Sequence, residues 1–442
     1  MQDEEMVTQL PGMLYGEDER VTLLRQILKA MGQPDHAFSI IHVCGTNGKG
    51  STSAMIAGIL QASGYSVGLF TSPHIMAVEE SMQINRQLIS KPQFERLLTT
   101  IQTVLKKLGF DPTTDLSYFE TLVLVALVYF KQQQVDYVLW ECGLGGELDA
   151  TNAVDRVAYT LFTKISLDHM ALLGDTIEAI ATTKSKIIRP QTPVIVAPGQ
   201  TKTALHVLEA EAKRQSAPLQ IAPRDWFVTS YPTSAGQEVT VKLPEREPLT
   251  ISLGLTGTYQ LENLLTALTW YQQFCRDQGQ VVDEVVLQRA LGQVRLPGRF
   301  ERLSTEPLVV IDGAHNPDGI RQFVRSVQER YGDYDLTIVT GFLKDKAVAE
   351  CLQLLTQLPA RFILTTPINQ DDRQLPVAEL GALYTQITGQ TAPEYPAIEA
   401  ALKAASQPAT GNKPQVILVV GSFYLLKTVR QHFLNRGGSY AN

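Results

Sequence analysis

The sequence predicts an α/β protein with two domains, each built around a parallel sheet. Strand-length runs rich in Val and Ile alternate with helix-length segments along most of the chain, a pattern typical of parallel sheets with right-handed crossovers. The length of 442 residues is more than one ordinary core can hold. We expect an N-terminal doubly wound parallel sheet domain with a small antiparallel excursion over residues 1–297, and a smaller C-terminal Rossmann-like α/β domain over residues 298–442.

The first predicted domain begins with strands and helices in alternation. Strands are expected at 38–44, 136–141, 157–163 and 193–197, with helices at 52–63 and 117–131. The antiparallel excursion is expected next, because apolar and polar residues alternate with period two in three segments that are separated by Pro and Gly. These segments are 226-WFVTS, 238-EVTVKL and 249-LTISL. A long helix is then expected over 258–274.

The second predicted domain begins after the segment 296-LPGRF-300, where Pro and Gly between a helix and a new strand indicate a hinge. Beyond this hinge the alternation of strands and helices resumes. Strands are expected at 307–312, 336–340, 361–366 and 415–420, each followed by a helical segment. This restart is the reason for placing the boundary near residue 298.

Composition restricts the classes of function. With 44% hydrophobic and 19% charged residues, the chain has the make-up of a soluble globular protein, and no apolar run reaches the roughly 20 residues that span a bilayer. The formal net charge of −7 disfavours non-specific nucleic-acid binding. The cysteines form no C-x-x-C pair, and the first ten residues are unlike a secretion signal. We therefore expect a cytoplasmic protein with no membrane or nucleic-acid partner.

The segment 45-GTNGKGST-52 follows a predicted strand and resembles a phosphate-binding loop. It departs from the pattern G-x-x-x-x-G-K-[ST], because Val43 replaces the first glycine and Gly50 replaces the hydroxyl residue. The alternative is a tight βα turn with an incidental lysine. The motif as a whole favours phosphate binding and a P-loop-type N-terminal domain.

The physical case for phosphate rests on the loop backbone. Glycines at 45, 48 and 50 would permit positive φ and close backbone approach, so that N–H groups from Asn47 to Ser51 point at phosphate oxygens. A helix beginning near Ser51 would add its positive end. Lys49 would add a point charge, and the hydroxyl of Ser51 or Thr52 would serve Mg²⁺.

Glu141 and His169 follow two other predicted strands. A carboxylate at the carboxyl end of a parallel strand lies in the crevice where open α/β sheets bind ligands. Glu141 could thus reach Mg²⁺, which takes oxygen ligands, although taken alone it is better explained as an ordinary strand-end glutamate. His169 lies in 166-SLDHMALLG-174. A lone histidine is more often a core residue, so the residues alone leave its role open.

Lys184 lies on the buried face of a predicted helix. Thr176 can cap this helix, and Lys184 follows Ile177 by seven residues on the same apolar stripe. A buried ammonium must find a partner, shift its pKa, snorkel or be modified. Two interpretations remain: a snorkelling lysine, or a functional lysine that faces the phosphates.

Polar turns also follow the strands of the second predicted domain. In 308-LVVIDGAHNPDG-319, Asp312 ends a strand and Asn316-Pro317 opens a helix, so Asp312 and His315 are expected to protrude from the sheet edge. Other polar motifs follow later strands: 341-GFLKDK-346, 365-TTP-367 with Arg373 downstream, and 421-GSFYLLK-427. Their shared edge predicts a site that faces another domain.

Together these motifs resemble the folylpolyglutamate synthase/dihydrofolate synthase family of the Mur ligase superfamily. The resemblance covers nearly the whole chain, and the family's loop departs from the usual phosphate-binding pattern at the same two places. The combination of GTNGKGS, TSPH and DGAHNP is specific. The matching segments are 16-GEDERVTLLRQILKAMGQP-34, IHVCGTNGKGS, 71-TSPHI-75, ECGLGGELDATN, LDHMALLG, 255-LTGTYQLEN-263, 295-RLPGRFE-301, DGAHNPDG, GFLKDK and GSFYLL.

The resemblance implies a role for each matching site residue. Lys184 would be carbamylated, which turns a buried cation into an anion able to bind Mg²⁺. The other implied roles are catalysis for Lys49, Lys184, Asp312 and His315, ATP binding for Thr46, Asn47, Gly48, Lys49, Gly50, Ser51, Asn263, Arg299 and Asp312, and Mg²⁺ binding for Ser72, Glu141 and His169.

The resemblance also implies the reaction. The terminal carboxylate of a reduced folate would attack the γ-phosphate of the co-substrate ATP, with two Mg²⁺ ions present, and the amine of L-glutamate would then displace phosphate from the acyl phosphate. Dihydropteroate would be a second acceptor in a bifunctional member. Closure about 296–299 would position the amine and exclude water, and family precedent indicates a monomer.

Several positions depart from the family pattern. The changed positions are Ser81 for arginine, Glu147 for arginine, Lys186 for glycine, Tyr259 for histidine and Leu296 for tryptophan. We expect them to cluster in loops that meet the pterin or its tail, which would put acceptor choice in question. Two alternatives stay open: another amide ligase of the superfamily, or a non-catalytic nucleotide-binding paralogue. The retention of Lys49, Glu141 and Asp312 argues against the second.

Overall fold

A computed structural model describes residues 19–368, 373–407 and 413–434. The two ends of the chain, and with them residues 16–18 of the first matching segment, lie outside this part. The described residues form an eight-stranded, a three-stranded and a six-stranded sheet. None of their helices is both long enough and apolar enough to cross a bilayer.

The eight-stranded sheet has the order β4-β3-β2-β5-β1-β6-β7-β8. Its neighbours are parallel except at one edge, where β3 pairs antiparallel with β2 and β4. Asn85 and Arg86, both at positive φ, form the two-residue turn between β3 and β4. The strands are β1 (Ser39–Cys44), β2 (Val67–Phe70), β3 (Met82–Ile84), β4 (Gln87–Leu88), β5 (Tyr137–Glu141), β6 (Tyr159–Phe162), β7 (Val194–Val196) and β8 (Leu219–Ile221).

Helices connect the parallel strands, and local capping signals explain where several of them begin. Ser117 and Glu120 form a reciprocal capping box at the start of α4, and Thr176 caps α6 as predicted. The helices are α1 (Arg20–Ala30), α2 (Lys49–Ala62), α3 (Lys91–Lys107), α4 (Tyr118–Gln132), α5 (Met170–Leu173), α6 (Ile177–Ser185) and α7 (Lys202–Arg214).

The antiparallel excursion is confirmed. It consists of β9 (Phe227–Pro232), β10 (Gln237–Val241) and β11 (Leu249–Leu253), and it precedes α8 (Tyr259–Asp277) and α9 (Glu284–Leu291). Buried and exposed residues alternate along β11, because only one face of this sheet packs on the core.

Both faces of the eight-stranded sheet are covered, which confirms the doubly wound prediction. Ile41 and Val43 of β1 pack on one face with α2, α8, α9 and the small sheet. Ile40 packs on the opposite face with α1, α3 and α4. The strands therefore read as continuous apolar runs, as expected for strands buried on two sides.

The six-stranded sheet has the order β12-β13-β17-β14-β15-β16 and is parallel except for β12, which pairs antiparallel with β13. Helices cover both faces. The strands are β12 (Glu301–Thr305), β13 (Leu308–Asp312), β14 (Asp335–Thr340), β15 (Ala360–Thr365), β16 (Glu394–Tyr395) and β17 (Gln415–Val420). The helices are α10 (Pro317–Tyr331), α11 (Val348–Leu355), α12 (Val377–Thr388), α13 (Ile398–Ala405) and α14 (Phe423–Leu434). The boundary predicted near residue 298 falls between α9 and β12.

Candidate active site

A cavity of about 1510 Å³ is lined by residues of both predicted domains. Every predicted site residue contributes to its lining, although these residues are spread over more than 260 positions of the chain. The lining includes Thr46, Asn47, Gly48, Lys49, Gly50, Ser51, Ser72, Glu141, His169, Lys184, Asn263, Arg299, Asp312 and His315. Of the later motifs, 341–346 and 421–427 also contribute, together with Arg373, whereas 365–367 does not.

The loop between β1 and α2 needs glycine at two positions for the reasons that the sequence suggested. Gly45 and Gly48 have φ of 150° and 92°. A Cβ on Gly48 would lie 2.2 Å from Asn263 Oδ1, and one on Gly45 would lie 2.0 Å from Thr163 Oγ1. Conformation and space therefore both exclude a side chain at these two places.

The prediction for Gly50 was wrong. This residue lies in α2, which begins at Lys49 instead of near Ser51, and so it does not need positive φ. The reason is that the left-handed conformation of Gly48 already completes the turn. Gly50 still faces the site, because a Cβ there would lie 3.5 Å from Glu141 Oε2.

The side chain of Lys49 folds back over the loop that precedes α2. Its Nζ donates to the carbonyl oxygens of Gly45 at 3.2 Å and Thr46 at 3.3 Å, and lies 4.0 Å from Glu141 Oε1. The ammonium is thus held at the start of α2, where the N-terminal end of the helix also favours an anion.

Glu141 ends β5 and is almost completely buried. Burial raises the pKa of its carboxyl to about 7, against the opposing charges of Lys49 and Arg299. Within the described part of the chain, no hydrogen-bond donor reaches Glu141 Oε2, and Ser51 Oγ has no partner either. Buried oxygen atoms without partners suit a hard cation such as Mg²⁺, so this donor set fits the implied ion.

Lys184 is 4% exposed, which confirms the predicted buried face of α6. Its Nζ donates to the carbonyl oxygen of Gly45 at 3.1 Å, on the cavity side of the phosphate loop. The snorkelling interpretation was therefore wrong, because the ammonium is bound in the interior. Gly146 permits this close packing, since a Cβ there would lie 2.7 Å from Lys184 Cα.

His169 immediately precedes α5, has φ of 50° and lines the cavity. Burial lowers the pKa of its imidazole to about 4, with Asp168 opposing that effect and Lys346 adding to it. The ring is therefore neutral at physiological pH, which is the form that binds metals. Its neighbour Asp168 was not identified from the sequence, although its carboxylate accepts hydrogen bonds from Lys346 Nζ at 2.7 Å and Asn316 Nδ2 at 2.9 Å.

Asp312 lies at the end of β13 as predicted, but it does not protrude freely. Its carboxylate accepts hydrogen bonds from Tyr259 Oη at 2.7 Å and from the N–H groups of Phe300 at 2.9 Å and Ala314 at 2.8 Å. Burial raises the pKa of Asp312, although the Tyr259 hydrogen bond opposes the shift. Tyr259 thus ties α8 to the second sheet.

Arg299 and His315 are held from the second domain's side of the cavity. The guanidinium of Arg299 lies 4.5 Å from the centre of the Phe423 ring, a cation–π contact. His315 Nδ1 donates to the carbonyl oxygen of Gly313 at 2.8 Å, which leaves Nε2 facing Asp168 at 3.4 Å. Both side chains therefore have fixed orientations toward the cleft.

The departures from the family pattern do not all cluster in the cavity. Ser81 and Tyr259 line it, whereas Glu147, Lys186 and Leu296 do not. Glu147 is exposed, and Lys186, which follows α6, donates to Glu211 of α7 at 3.1 Å. The expectation of one cluster was therefore wrong, although Leu296 stays near the site, since a Cβ on Gly50 would lie 3.6 Å from its Cδ2.

The glycine loop after β1 faces polar side chains of a second α/β sheet across the cavity, an arrangement that fits an ATP-dependent ligase of the Mur type. Two family models agree with this class. "Mur ligase middle domain" matches residues 43–270, and "Mur ligase, glutamate ligase domain" matches residues 298–423.

Curated relatives define the family within this class. The chain is 30% identical to "Dihydrofolate synthase/folylpolyglutamate synthase" of Bacillus subtilis, over 94% of this chain and 95% of that protein. It is 32% identical to "Folylpolyglutamate synthase" of Lacticaseibacillus casei, with 95% of each chain covered. A relative from Haloferax volcanii, "Probable bifunctional folylpolyglutamate synthase/dihydropteroate synthase", is 34% identical over 92% of this chain, but this chain spans only 47% of its length.

Solved structures of the same family also match this chain. Folylpolyglutamate synthase of Mycobacterium tuberculosis complexed with ADP matches with a TM-score of 0.87 at 26% identity, over 98% of this chain and 97% of that one. FolC of E. coli in complex with DHPP and ADP matches with a TM-score of 0.80 at 28% identity, over 98% of both chains. The chain belongs to the folylpolyglutamate synthase/dihydrofolate synthase family, whose members are ATP-dependent amide-forming ligases.

Proposed function

We propose that the chain adds L-glutamate to the terminal carboxylate of a reduced folate, with ATP as co-substrate. The folate carboxylate attacks the γ-phosphate and releases ADP, and the amine of L-glutamate then attacks the acyl phosphate to form an amide and release phosphate. The observation that carries this proposal is the convergence of all predicted site residues on one cavity. The names of the curated relatives support the choice of substrates.

The chain's own residues would bind and orient the nucleotide. The backbone from Asn47 to Ser51 and the start of α2 supply N–H groups for phosphate oxygens. Lys49 supplies a positive charge beside them, and Arg299 supplies a second one from the other side of the cavity. Asn263 would contact the nucleotide from α8. Donors placed before the reaction stabilise charge that develops on the transferred phosphoryl group.

Ser72, Glu141 and His169 would hold Mg²⁺. The hydroxyl and carboxylate oxygens suit this ion, and the neutral imidazole of His169 completes the set. When bound, Mg²⁺ neutralises the crowded oxyanions of the phosphates. Carbamylation of Lys184 would remove the positive charge beside Gly45 and supply a further carboxylate-like ligand, and its buried, cavity-lining position supports this role.

The acceptor would bind to the apolar part of the cavity lining. Met76, Val78, Phe94, Tyr118 and Leu148 all contribute to it. Large apolar and aromatic side chains next to a few polar groups are typical of sites for small aromatic ligands. We also propose a cytoplasmic monomer. The free, buried cysteines fit a reducing compartment.

Release of ADP from ATP, Mg²⁺ and L-glutamate tests the proposal, with a reduced folate and dihydropteroate compared as acceptors. Turnover with a folate alone indicates a dedicated polyglutamylating enzyme, with Ser81 and Tyr259 as the departures that line the acceptor cavity. Turnover with both acceptors indicates a bifunctional enzyme. Absence of turnover with either acceptor would contradict the proposal and favour another superfamily ligase or a non-catalytic paralogue. Lys49→Ala is the control for background hydrolysis.

A further inference from the structure

Asp168 lies in the segment between β6 and α5, on the side of the first sheet that faces the second. Three groups of the second predicted domain meet its carboxylate. Lys346 Nζ donates to Oδ1 at 2.7 Å, Asn316 Nδ2 donates to Oδ2 at 2.9 Å, and His315 Nε2 lies 3.4 Å from Oδ2. These partners come from two different turns, those that follow β13 and β14.

The contact is buried from both sides. The side chains of Asp168 and Lys346 are 9% and 6% exposed. A buried, charge-assisted pair of this kind is strongly coupled, because removal of one partner leaves the other charge without compensation. Asn47 of the phosphate loop extends the contact, since its Nδ2 donates to Asp318 Oδ2 at 2.8 Å. The second domain thus meets the first directly at the phosphate loop.

The same contact determines where Lys346 points. While Asp168 holds the ammonium, Lys346 Nζ lies 3.4 Å from His169 Nε2 and lines the cavity. Lys346 therefore reaches the phosphate end of the site only when the second domain is against the first. An ordinary surface ion pair would not couple domain position to a charge in the cavity.

We propose that Asp168 is a positioning residue that holds the second domain closed over the phosphate loop and places the Lys346 ammonium beside the transferred phosphoryl group. The role in turnover rests on the proposed function. The role in closure does not, because it depends only on contacts between the two domains. Asp168 also lines the cavity, but Lys346, Asn316 and His315 face its carboxylate oxygens, so it would act through Lys346.

Asp168→Asn and Lys346→Met test the proposal, because both keep the approximate size of the side chain and remove its charge. Each should lower kcat/KM roughly 10-fold or more, within the range usual for coupled sites. The double variant should be no worse than the poorer single variant, because both changes remove the same contact. Glu329→Gln is the matched control. Glu329 pairs with Arg325 at 3.2 Å on α10, so both members belong to the second domain, and both side chains are more than half exposed and lie outside the cavity lining.

Small-angle X-ray scattering supplies a readout that needs no turnover. Wild type and Glu329→Gln should have the same radius of gyration with a non-hydrolysable ATP analogue, and Asp168→Asn and Lys346→Met should both have a larger one. Thermal melting checks folding. If Asp168→Asn does not fold, Lys346→Met carries the same comparison from the other domain.

Compact scattering and near-normal kcat/KM for the two single variants would overturn the proposal. The proposal would also be overturned if the loss in kcat/KM of the double variant combined the full losses of the two single variants, because the two residues would then act independently. If wild type shows no folate-dependent ADP release, the proposed function fails. The scattering comparison would still decide whether Asp168 closes the domains.

Discussion

Replacement of Glu141 by Gln should make the protein more stable at alkaline pH while it removes a proposed Mg²⁺ ligand. Glu141 is 3% exposed, and among the described residues nothing donates a hydrogen bond to its Oε2. An ionised carboxylate at this position is costly, because burial strips it of water. The amide of Gln has a similar shape and carries no charge.

The expected size follows from the pKa of Glu141, which burial raises from 4.5 to about 7. At about 1.4 kcal/mol per pH unit, the difference corresponds to about 3 kcal/mol. Because the folded-state pKa lies above the unfolded one, proton binding stabilises the fold fully below about pH 4.5, and this stabilisation is lost as pH rises through about 7. Gln does not titrate. The free energy of unfolding of the Gln variant should therefore exceed that of wild type, and most of this difference should develop between pH 5 and pH 8.

Urea unfolding at pH 5 and pH 8, with EDTA present, measures this gain. Tryptophan fluorescence is a suitable probe, since all three tryptophans, at positions 140, 226 and 270, lie before residue 298. Glu211→Gln is a control with the opposite sign, because hydrogen bonds from Arg214 and then Lys186 hold the pKa of Glu211 at about 2, against its burial. That variant should lose stability at pH 8. If Glu141→Gln shows no gain at pH 8, or the same difference at both pH values, Glu141 is not a strained carboxylate.

Three other predictions concern single residues of the site. Lys49→Ala should abolish ADP release and leave the fold intact, as shown by a cooperative urea transition; near-normal turnover would remove the phosphate-loop assignment. Carbon-13 NMR of the native enzyme in ¹³C-bicarbonate should show a carbamate carbon that Lys184→Met lacks, and absence of that signal from active enzyme would exclude carbamylation. Tyr259→Phe should destabilise the fold by about 2 kcal/mol in urea unfolding, because the buried carboxylate of Asp312 loses its hydroxyl donor. An unchanged midpoint would show that this hydrogen bond contributes little.

Much of the fold could be predicted from local patterns. The strands of both sheets are short apolar runs buried on two faces, so β1, β5 and β17 are found within one residue of the predicted bounds. The short edge strands β3 and β4 were missed, because two or three residues carry no periodic signal. Their turn at Asn85 and Arg86 depends on positive φ at residues other than glycine.

Residue type and short-range spacing were enough to identify the available chemistry. They pointed to a phosphate-type loop, a strand-end carboxylate, a lysine on an apolar stripe and polar turns in the second half of the chain. Other contacts are visible only in the folded chain: Lys184 with Gly45, Tyr259 with Asp312, and Asp168 with donors from two turns of the second sheet. Such contacts join residues 53 to 178 positions apart. They depend on which strand ends meet at a sheet edge and on how two sheets face each other, and no local pattern carries that information.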